Sequence, residues 1–305
     1  MHFIEACPCC SGCNLKNHTA ILSPFVAEYA SIAFNGAIKL QECMNCQFCF
    51  YNPRFDPPEV KRLYSEYRGE RYYKIRHRHE FWYTSAINNG LGRDKDEIDR
   101  RKKEVSIYLR KFIPTTEIAS VLDYGGDEGQ FLPDDIGTNR TVYDISGVRV
   151  RAGVKRVTIA QELKGQTYDL ILLCHVLEHC TNPRSVLKET KSLLKKNGWI
   201  YIELPYDKFD CSTIAEGNFY NHYLSFVVRF PLLYSCIDFY STLFKIKFNR
   251  IPPLGIIKMH EHINYFNIKS LSTMLEINGI NVIDCRIDNH KTLLGRYLTC
   301  IAQVI

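Results

Sequence analysis

The sequence predicts an α/β protein: a doubly wound sheet of seven strands, mostly parallel with the last one antiparallel, preceded by a small metal ribbon. Three observations predict it. From about Ala119 onward, short apolar runs alternate with helical patterns. The first of those runs ends in an acidic residue and a glycine-rich turn, "VLDYGGDEG". The first 49 residues hold seven of the thirteen cysteines, and among them are two Cys-x2-Cys pairs, "CPCC" and "CMNC".

Each cysteine pair can form one knuckle. Two knuckles separated by a strand-like segment bring Cys7, Cys10, Cys43 and Cys46 together as the tetrathiolate shell of a structural Zn²⁺. Cys9, Cys13 and Cys49 are surplus thiols that leave the choice of ligands open. An odd cysteine count, the clustering and the lack of a basic start followed by an apolar run argue for a metal in a reducing cytoplasm, not a disulfide framework.

After the ribbon, Asp56 caps a helix that begins at Pro57 and is expected to run to about Tyr67. A second helix is expected over Asp94–Phe112, with Ile98, Val105, Tyr108, Leu109 and Phe112 on one face and Pro114 ending it. The strands follow: "ASVLDY", "RTVYDI", "RVTI", "YDLILLC" (168–174) and "WIYIELP". Between the last two, Asn182 and Pro183 open a helix that Gly198 closes. Asn267 opens another, which Gly279 stops; "INVIDCRI" and "RYLTCIAQVI" close the sheet as a pair with no helix between them. The expected domains are a ribbon over 1–55, a helical linker or lid over 56–118, and the sheet domain over 119–305 with an insertion at about 206–258.

Composition excludes some classes. With 46% hydrophobic and 24% charged residues, the 305-residue chain fits a globular protein. No run reaches the ~18 apolar residues of a membrane span. The nearest, "YLSFVVRFPLLYSCIDFYSTLF" (223–244), is broken by Arg229, Pro231 and Asp238. It reads as a buried or lid helix pair, with peripheral membrane contact as the alternative. Residues 54–111 carry 16 Lys plus Arg against 10 Asp plus Glu, which accounts for the whole net charge of +6. Within them "KIRHRHEFWY" (74–83) interleaves cations with aromatics and could hold a phosphate. No Asn-Pro-Pro-Tyr-type base pocket follows the fourth strand, which argues against nucleic acid as substrate.

The chemistry-bearing residues sit at strand ends. Asp123 and Gly125, Gly126 and Gly129 form a turn whose bare backbone can touch a ligand, beside a helix N-terminus with free N–H groups. Asp144 ends the next strand 21 residues later, where an acid can accept both hydroxyls of an adenosine ribose. Later in the chain, "HEHINYF" (260–266) offers His260, Glu261 and His262 as a proton-transfer group, a metal site or a polar lip; a helical metal motif needs histidines four apart, and these are two apart.

"VLDYGGDEG", "VYDIS", "YDLILLCHVLEHCTNPRSVLKETKSLLKKNGWIYIELP" and "HEHINYF" together resemble a class I S-adenosylmethionine-dependent methyltransferase with a Rossmann-like sheet. The cysteine pairs followed by "FYNPRF" resemble the zinc ribbon that precedes this domain in sugar C-methyltransferases, without the further C-terminal domain of those enzymes. The resemblance implies S-adenosylmethionine as cofactor. Asp123, Gly125, Gly126 and Gly129 would line its methionine part, Asp144 and Ile145 its ribose side, Gln161 and Glu162 its adenine, and Cys174 and His175 the sulfonium. His175, Glu178 and His179 would then shape the cofactor floor instead of binding a metal. It further implies a small-molecule acceptor, a sugar nucleotide or glycan precursor, with His262 as general base, Glu261 as its supporting acid and His260 beside them. Two other functions fit the same residues: O-methylation of a lipid-linked or natural-product acceptor, and a zinc-ribbon adaptor with a degenerate fold. Two departures from the family pattern stand out. The turn has Asp127 where the family has glycine, and Met259 replaces the tyrosine upstream of the histidines.

Overall fold

The computed structural model describes residues 1–33, 38–90, 93–146, 149–206, 218–248, 250–288 and 296–305. In chain order the elements are β1 (Leu15–Leu22), α1 (Pro24–Tyr29), β2 (Ile38–Cys43), β3 (Cys49–Asn52), α2 (Pro57–Tyr64), α3 (Glu70–His79), α4 (Ser85–Gly90), α5 (Lys95–Phe112), β4 (Ser120–Tyr124), β5 (Asn139–Tyr143), β6 (Lys155–Val157) and β7 (Tyr168–Cys174). They continue with α6 (Pro183–Ser192), β8 (Leu194–Tyr206), α7 (Asn218–Arg229), α8 (Pro231–Phe248), β9 (Lys258–Met259), β10 (Asn264–Tyr265), α9 (Ile268–Ile277), β11 (Asn281–Ile287) and β12 (Arg296–Gln303). The chain forms two compact units: Met1–Cys7, Ser11–Gly90 and Asp207–Tyr265 in one, Pro8–Cys10, Leu91–Tyr206 and Phe266–Ile305 in the other. Part of the insertion expected at 206–258, residues 207–217 and 249, lies outside the described residues.

The second unit carries the seven-stranded sheet, in the order β11-β12-β8-β7-β4-β5-β6. The strands from β8 to β6 are parallel, and β12 runs antiparallel to both β8 and β11. The core strands are apolar on both faces, as a sheet covered on both sides requires. Val121, Leu170, Leu172, Tyr201 and Ile301 face Val105, Tyr108 and Leu109 of α5, while Leu122, Ile171, Ile200 and Ile202, whose side chains alternate to the other face, are equally buried. Asp94 caps α5 by accepting from the Glu97 N–H, and Asn267 caps α9 in a reciprocal capping box with Ser270. Gly279, at φ 65, follows the C-cap of α9. Two expectations fail here. No helix follows the glycine turn: residues 126–138, between β4 and β5, form turns and bends only, so the free N–H groups there belong to the turn itself. The helix opened by Asn182 stops at Ser192 and not just before Gly198, because β7 captures the backbone beyond it: the Tyr168 N–H donates to the Leu193 carbonyl at 2.8 Å and Leu194 pairs with Tyr168.

The first unit is built on β1, β2 and β3, an antiparallel meander. Its two edges are taken by one short return of the chain. β9 pairs parallel to β1, and β10 pairs antiparallel to β3, giving the order β10-β3-β2-β1-β9. Five Cα steps from Met259 to Asn264 reach at most about 18 Å, whereas the edge strands of a flat five-stranded sheet stand about 19 Å apart. The sheet is therefore curled, and the link that closes it is His260–Ile263. Arg54, fully buried, ties this link down: it donates to the carbonyls of Tyr51 (3.3 Å) and Ile263 (3.2 Å) and to Asn264 Oδ1 (2.7 Å).

The helix from Asp56 ends at Tyr64, three residues before the expected end, and Glu66 and Arg68 just beyond it have left-handed backbones at φ 54 and 57. "KIRHRHEFWY" is the body of α3 and the turn after it. Its cations are occupied by carboxylates: Arg76 donates to Glu80 at 2.9 Å, and Arg78 and His79 meet Glu28 at 2.6 and 2.7 Å. Arg54→Met should lower stability by about 3–5 kcal/mol, because it strands three buried acceptors. Urea unfolding measures it, and a change under ~0.5 kcal/mol would show that the clasp carries no load.

Candidate active site

The glycine turn in the second unit has a regular backbone. Gly125, Asp127 and Gly129 stand at φ 74, 51 and 75, so every second residue is left-handed. Glycine takes this conformation freely, and aspartate is among the few other residues that do. Asp127 therefore keeps the shape of the turn, and its N–H donates to Asp144 Oδ2 at 2.9 Å. Gly125 backs onto Val176, where a Cβ would lie 2.8 Å from Cγ2, and a Cβ on Gly126 would overlap the Asp123 carboxylate.

Asp123 is the penultimate residue of β4, with 1% of its surface exposed. Its Oδ1 is buried and has no hydrogen-bond partner among the described residues. Burial, then the nearby Asp144 carboxylate, raise its pKa to about 7. A buried, unmatched acid beside a bare glycine turn is a ready place for a cation. Asp144, just past β5, accepts from the N–H groups of Asp127 and Ser146, the latter at 2.7 Å. Ile145 beside it is 58% exposed, an apolar side chain set in solvent at a strand end. Gln161 and Glu162 lie in the 3-10 turn Ala160–Leu163 after β6, both exposed. These residues fit a cofactor with a cationic amino-acid end, a ribose and an apolar base.

Cys174 ends β7 and His175 follows it. Burial, then the charges of Glu203 and Asp123, push the Cys174 thiol up. His175 has a left-handed backbone at φ 58, and its N–H donates to the Glu203 carbonyl at 2.8 Å. Its ring lies between two carboxylates, Nδ1 3.2 Å from Glu178 and Nε2 3.2 Å from Glu203, and edge-on to Tyr297. Burial opposes the imidazolium, but the bonds to Glu178 and Glu203 outweigh it and raise the His175 pKa. Glu203 also accepts from Arg101 and from the Tyr201 hydroxyl. Burial pushes its pKa up, yet Arg101 and then His175 hold it down at about 2. Sequence reasoning missed Arg101 and Glu203. Glu203 had a signal, as the one charged residue in "WIYIELP"; Arg101 had none, lying inside the run "DKDEIDRRKKE".

In the first unit, His260, Glu261 and His262 occupy the link between β9 and β10. Glu261 is buried and accepts from Tyr72 at 2.5 Å and Tyr67 at 3.3 Å, with His260 Nδ1 3.8 Å away. His260 Nε2 lies 3.2 Å from Glu80, and its ring stacks on Phe25. Glu80 is itself held by Arg76 and by Lys258, whose ammonium also reaches Asp238 at 2.8 Å. Two of the three residues are thus built into a buried polar network. His262 is half-buried, and its carbonyl accepts from the Tyr265 hydroxyl.

The sulfurs of Cys7, Cys10, Cys43 and Cys46 all lie within 4.8 Å of one another, Cys7 and Cys46 at 3.7 Å. A tetrahedron with metal–sulfur bonds of about 2.3 Å has edges of about 3.8 Å, so the set fits one ion. Both knuckles turn the same way: the residue after the second cysteine, Ser11 or Gln47, is left-handed at φ 60 or 61, and its N–H donates to the carbonyl of the first. Of the surplus thiols, Cys9 donates to the Ser270 carbonyl, Cys13 is exposed and Cys49 begins β3.

Residues 67–284 match the family model of a methyltransferase domain. No curated protein matches the chain. Solved structures that it resembles include the N-methyltransferase NodS from Bradyrhizobium japonicum WM9, 11% identical, covering 70% of this chain and 98% of that one at a TM-score of 0.41. Another is the 1,6-didemethyltoxoflavin-N1-methyltransferase of Burkholderia thailandensis, 15% identical, covering 86% and 98% at 0.45. A third is a SAM-dependent methyltransferase from Leishmania major, 14% identical, covering 79% and 85% at 0.45.

The unmatched Asp123 makes stability depend on pH. Its folded pKa, about 7, lies above the ordinary carboxylate value, so between pH 4 and 7 the folded chain holds a proton that the unfolded chain has lost, and stability falls as pH rises. Asp123→Asn removes this slope. In the ligand-free protein the variant should match wild type near pH 4 and exceed it by roughly 4 kcal/mol at pH 8. Denaturation midpoints at both pH values test it, and a pH-independent difference would refute the assignment.

Proposed function

Because the chain belongs to the methyltransferase-domain family, it is an S-adenosylmethionine-dependent methyltransferase, and we propose that its acceptor is a sugar or glycan precursor, nucleotide-linked. The observation that carries the cofactor site is the buried Asp123 carboxylate, unmatched beside a glycine turn. In this reading Asp123 meets the cationic methionine end, and Gly125, Gly126 and Gly129 give it backbone contact. Asp144 exchanges its two backbone N–H partners for the ribose hydroxyls, and Ile145, Gln161 and Glu162 border the adenine. Cys174 and His175 line the sulfonium end, with His175 held by Glu178 and Glu203. Bound there, the cofactor supplies an electrophilic methyl group on a cationic sulfur.

What the chain must supply is alignment of the acceptor and a place for its proton. His262 takes that proton, Glu261 is the supporting acid, and His260 holds the segment through Glu80. The two tyrosine bonds to Glu261 keep the segment from swinging when His262 changes charge. The sugar class rests on the likeness of the ribbon with "FYNPRF" and of "HEHINYF" to sugar C-methyltransferases.

Calorimetry should show binding of S-adenosylmethionine and its demethylated product, and a panel of sugar nucleotides with labelled cofactor should give a methylated product by mass. On that acceptor His262→Ala should lower turnover by roughly 10²–10⁴-fold with cofactor affinity unchanged, and Glu261→Gln should do less. Normal turnover by His262→Ala would leave the segment as a polar lip only.

The ribbon is proposed to hold one structural Zn²⁺ on Cys7, Cys10, Cys43 and Cys46. Metal analysis should find about one zinc per chain. Cys43→Ser should lose the metal and loosen the sheet of the first unit while cofactor binding persists. A metal-free wild-type protein of undiminished stability would overturn this.

A further inference from the structure

The long helix α8 buries three polar side chains while leaving large apolar ones in solvent. Its buried residues are Tyr234, Ser235, Asp238 and Ser241. Ser235 accepts from the Phe81 N–H at 3.3 Å, Asp238 takes Trp82 Nε1 at 3.3 Å and Lys258 at 2.8 Å, and Ser241 accepts from the Ile256 N–H at 3.0 Å. Rotating the helix would strand all of these, so they fix which face stays out. The outward face carries Leu232, Tyr240, Leu243 and Ile246 at helical spacing, exposed by 83%, 47%, 49% and 70%. α7 adds Phe226 and Phe230 beside its C-terminus, exposed by 55% and 50%. An apolar face of this extent on a soluble surface marks an interaction site.

Its charges say what the partner is. Between residues 218 and 257 the only acid is Asp238, which is buried and ion-paired. The cations there are Arg229, Lys245, Lys247 and Arg250, three of them exposed and Lys245 half-buried. Two copies of this face would set like charges against each other, whereas an anionic surface would match them. No helix among the described residues is long and apolar enough to cross a membrane. We propose that α7 and α8 dock on an anionic lipid bilayer, with the apolar stripe seated at the headgroup level and the basic residues on the phosphates.

Co-sedimentation of the full chain with vesicles tests this. It should bind vesicles of phosphatidylcholine with 30% phosphatidylglycerol and bind pure phosphatidylcholine at least tenfold more weakly, with the difference shrinking in high salt. Leu232→Glu/Ile246→Glu alters only exposed side chains and should abolish binding while circular dichroism and cofactor affinity stay unchanged. Lys245→Glu/Lys247→Glu should weaken binding to the anionic vesicles by roughly 20-fold or more, at about fivefold per cation. Equal binding to both vesicle types, or no binding, would overturn the proposal. So would self-association in ultracentrifugation that Leu232→Glu/Ile246→Glu abolishes, since the occupant would then be a second copy.

Discussion

A carboxylate taken out of water has to be matched, and the internal architecture of both units follows from how their acids meet that demand. Glu80 is matched by Arg76 and Lys258, Glu261 by Tyr72 and Tyr67, and Glu203 by Arg101, His175 and Tyr201. Each pins a segment with little apolar content of its own: α3 and the histidine link in the first unit, the left-handed turn after β7 in the second. Removing a partner leaves a buried charge, which is worse than never having built the pair. Asp123 is the exception. Its partner is missing from the described residues, and it stands where a cationic ligand would complete it.

The legibility of the sequence divides along the same line. The parallel strands could be read because they are buried on both faces: "YDLILLC" gives β7 at its observed ends, and the sequence places the capping residues Asp56, Asn182 and Asn267 where they cap. The cysteine spacing could be read because each Cys-x2-Cys pair forms its own local knuckle, and the four sulfurs that converge are those of the two pairs. What could not be read depends on contacts distant in sequence. α3 has only Tyr72 and Ile75 buried, so it lacks the apolar rhythm of a helix and is held by ion pairs instead. Two-residue strands such as β9 and β10 leave no periodicity at all, and only their pairing with β1 and β3 reveals them. Arg101 looked like one more solvated charge until Glu203 was placed beside it.

Helix α8 extends the same reasoning. Its hydrophobic run invited a reading as a buried or lid helix, since apolar residues ordinarily go inside. Two serines and an aspartate, buried beside Tyr234, leave much of that run outward. Each has a donor supplied by another part of the first unit, and together they outweigh the gain from burying Leu232, Leu243 and Ile246, because a stranded buried carboxylate costs more than an exposed leucine. The polar residues of a helix can therefore set its orientation, and when they do, its apolar face is left outward. A chain that keeps such a face free of acids while ringing it with lysine and arginine has tuned the surface to something negatively charged outside itself, and the constraint that shapes the core also shapes what the protein presents to its surroundings.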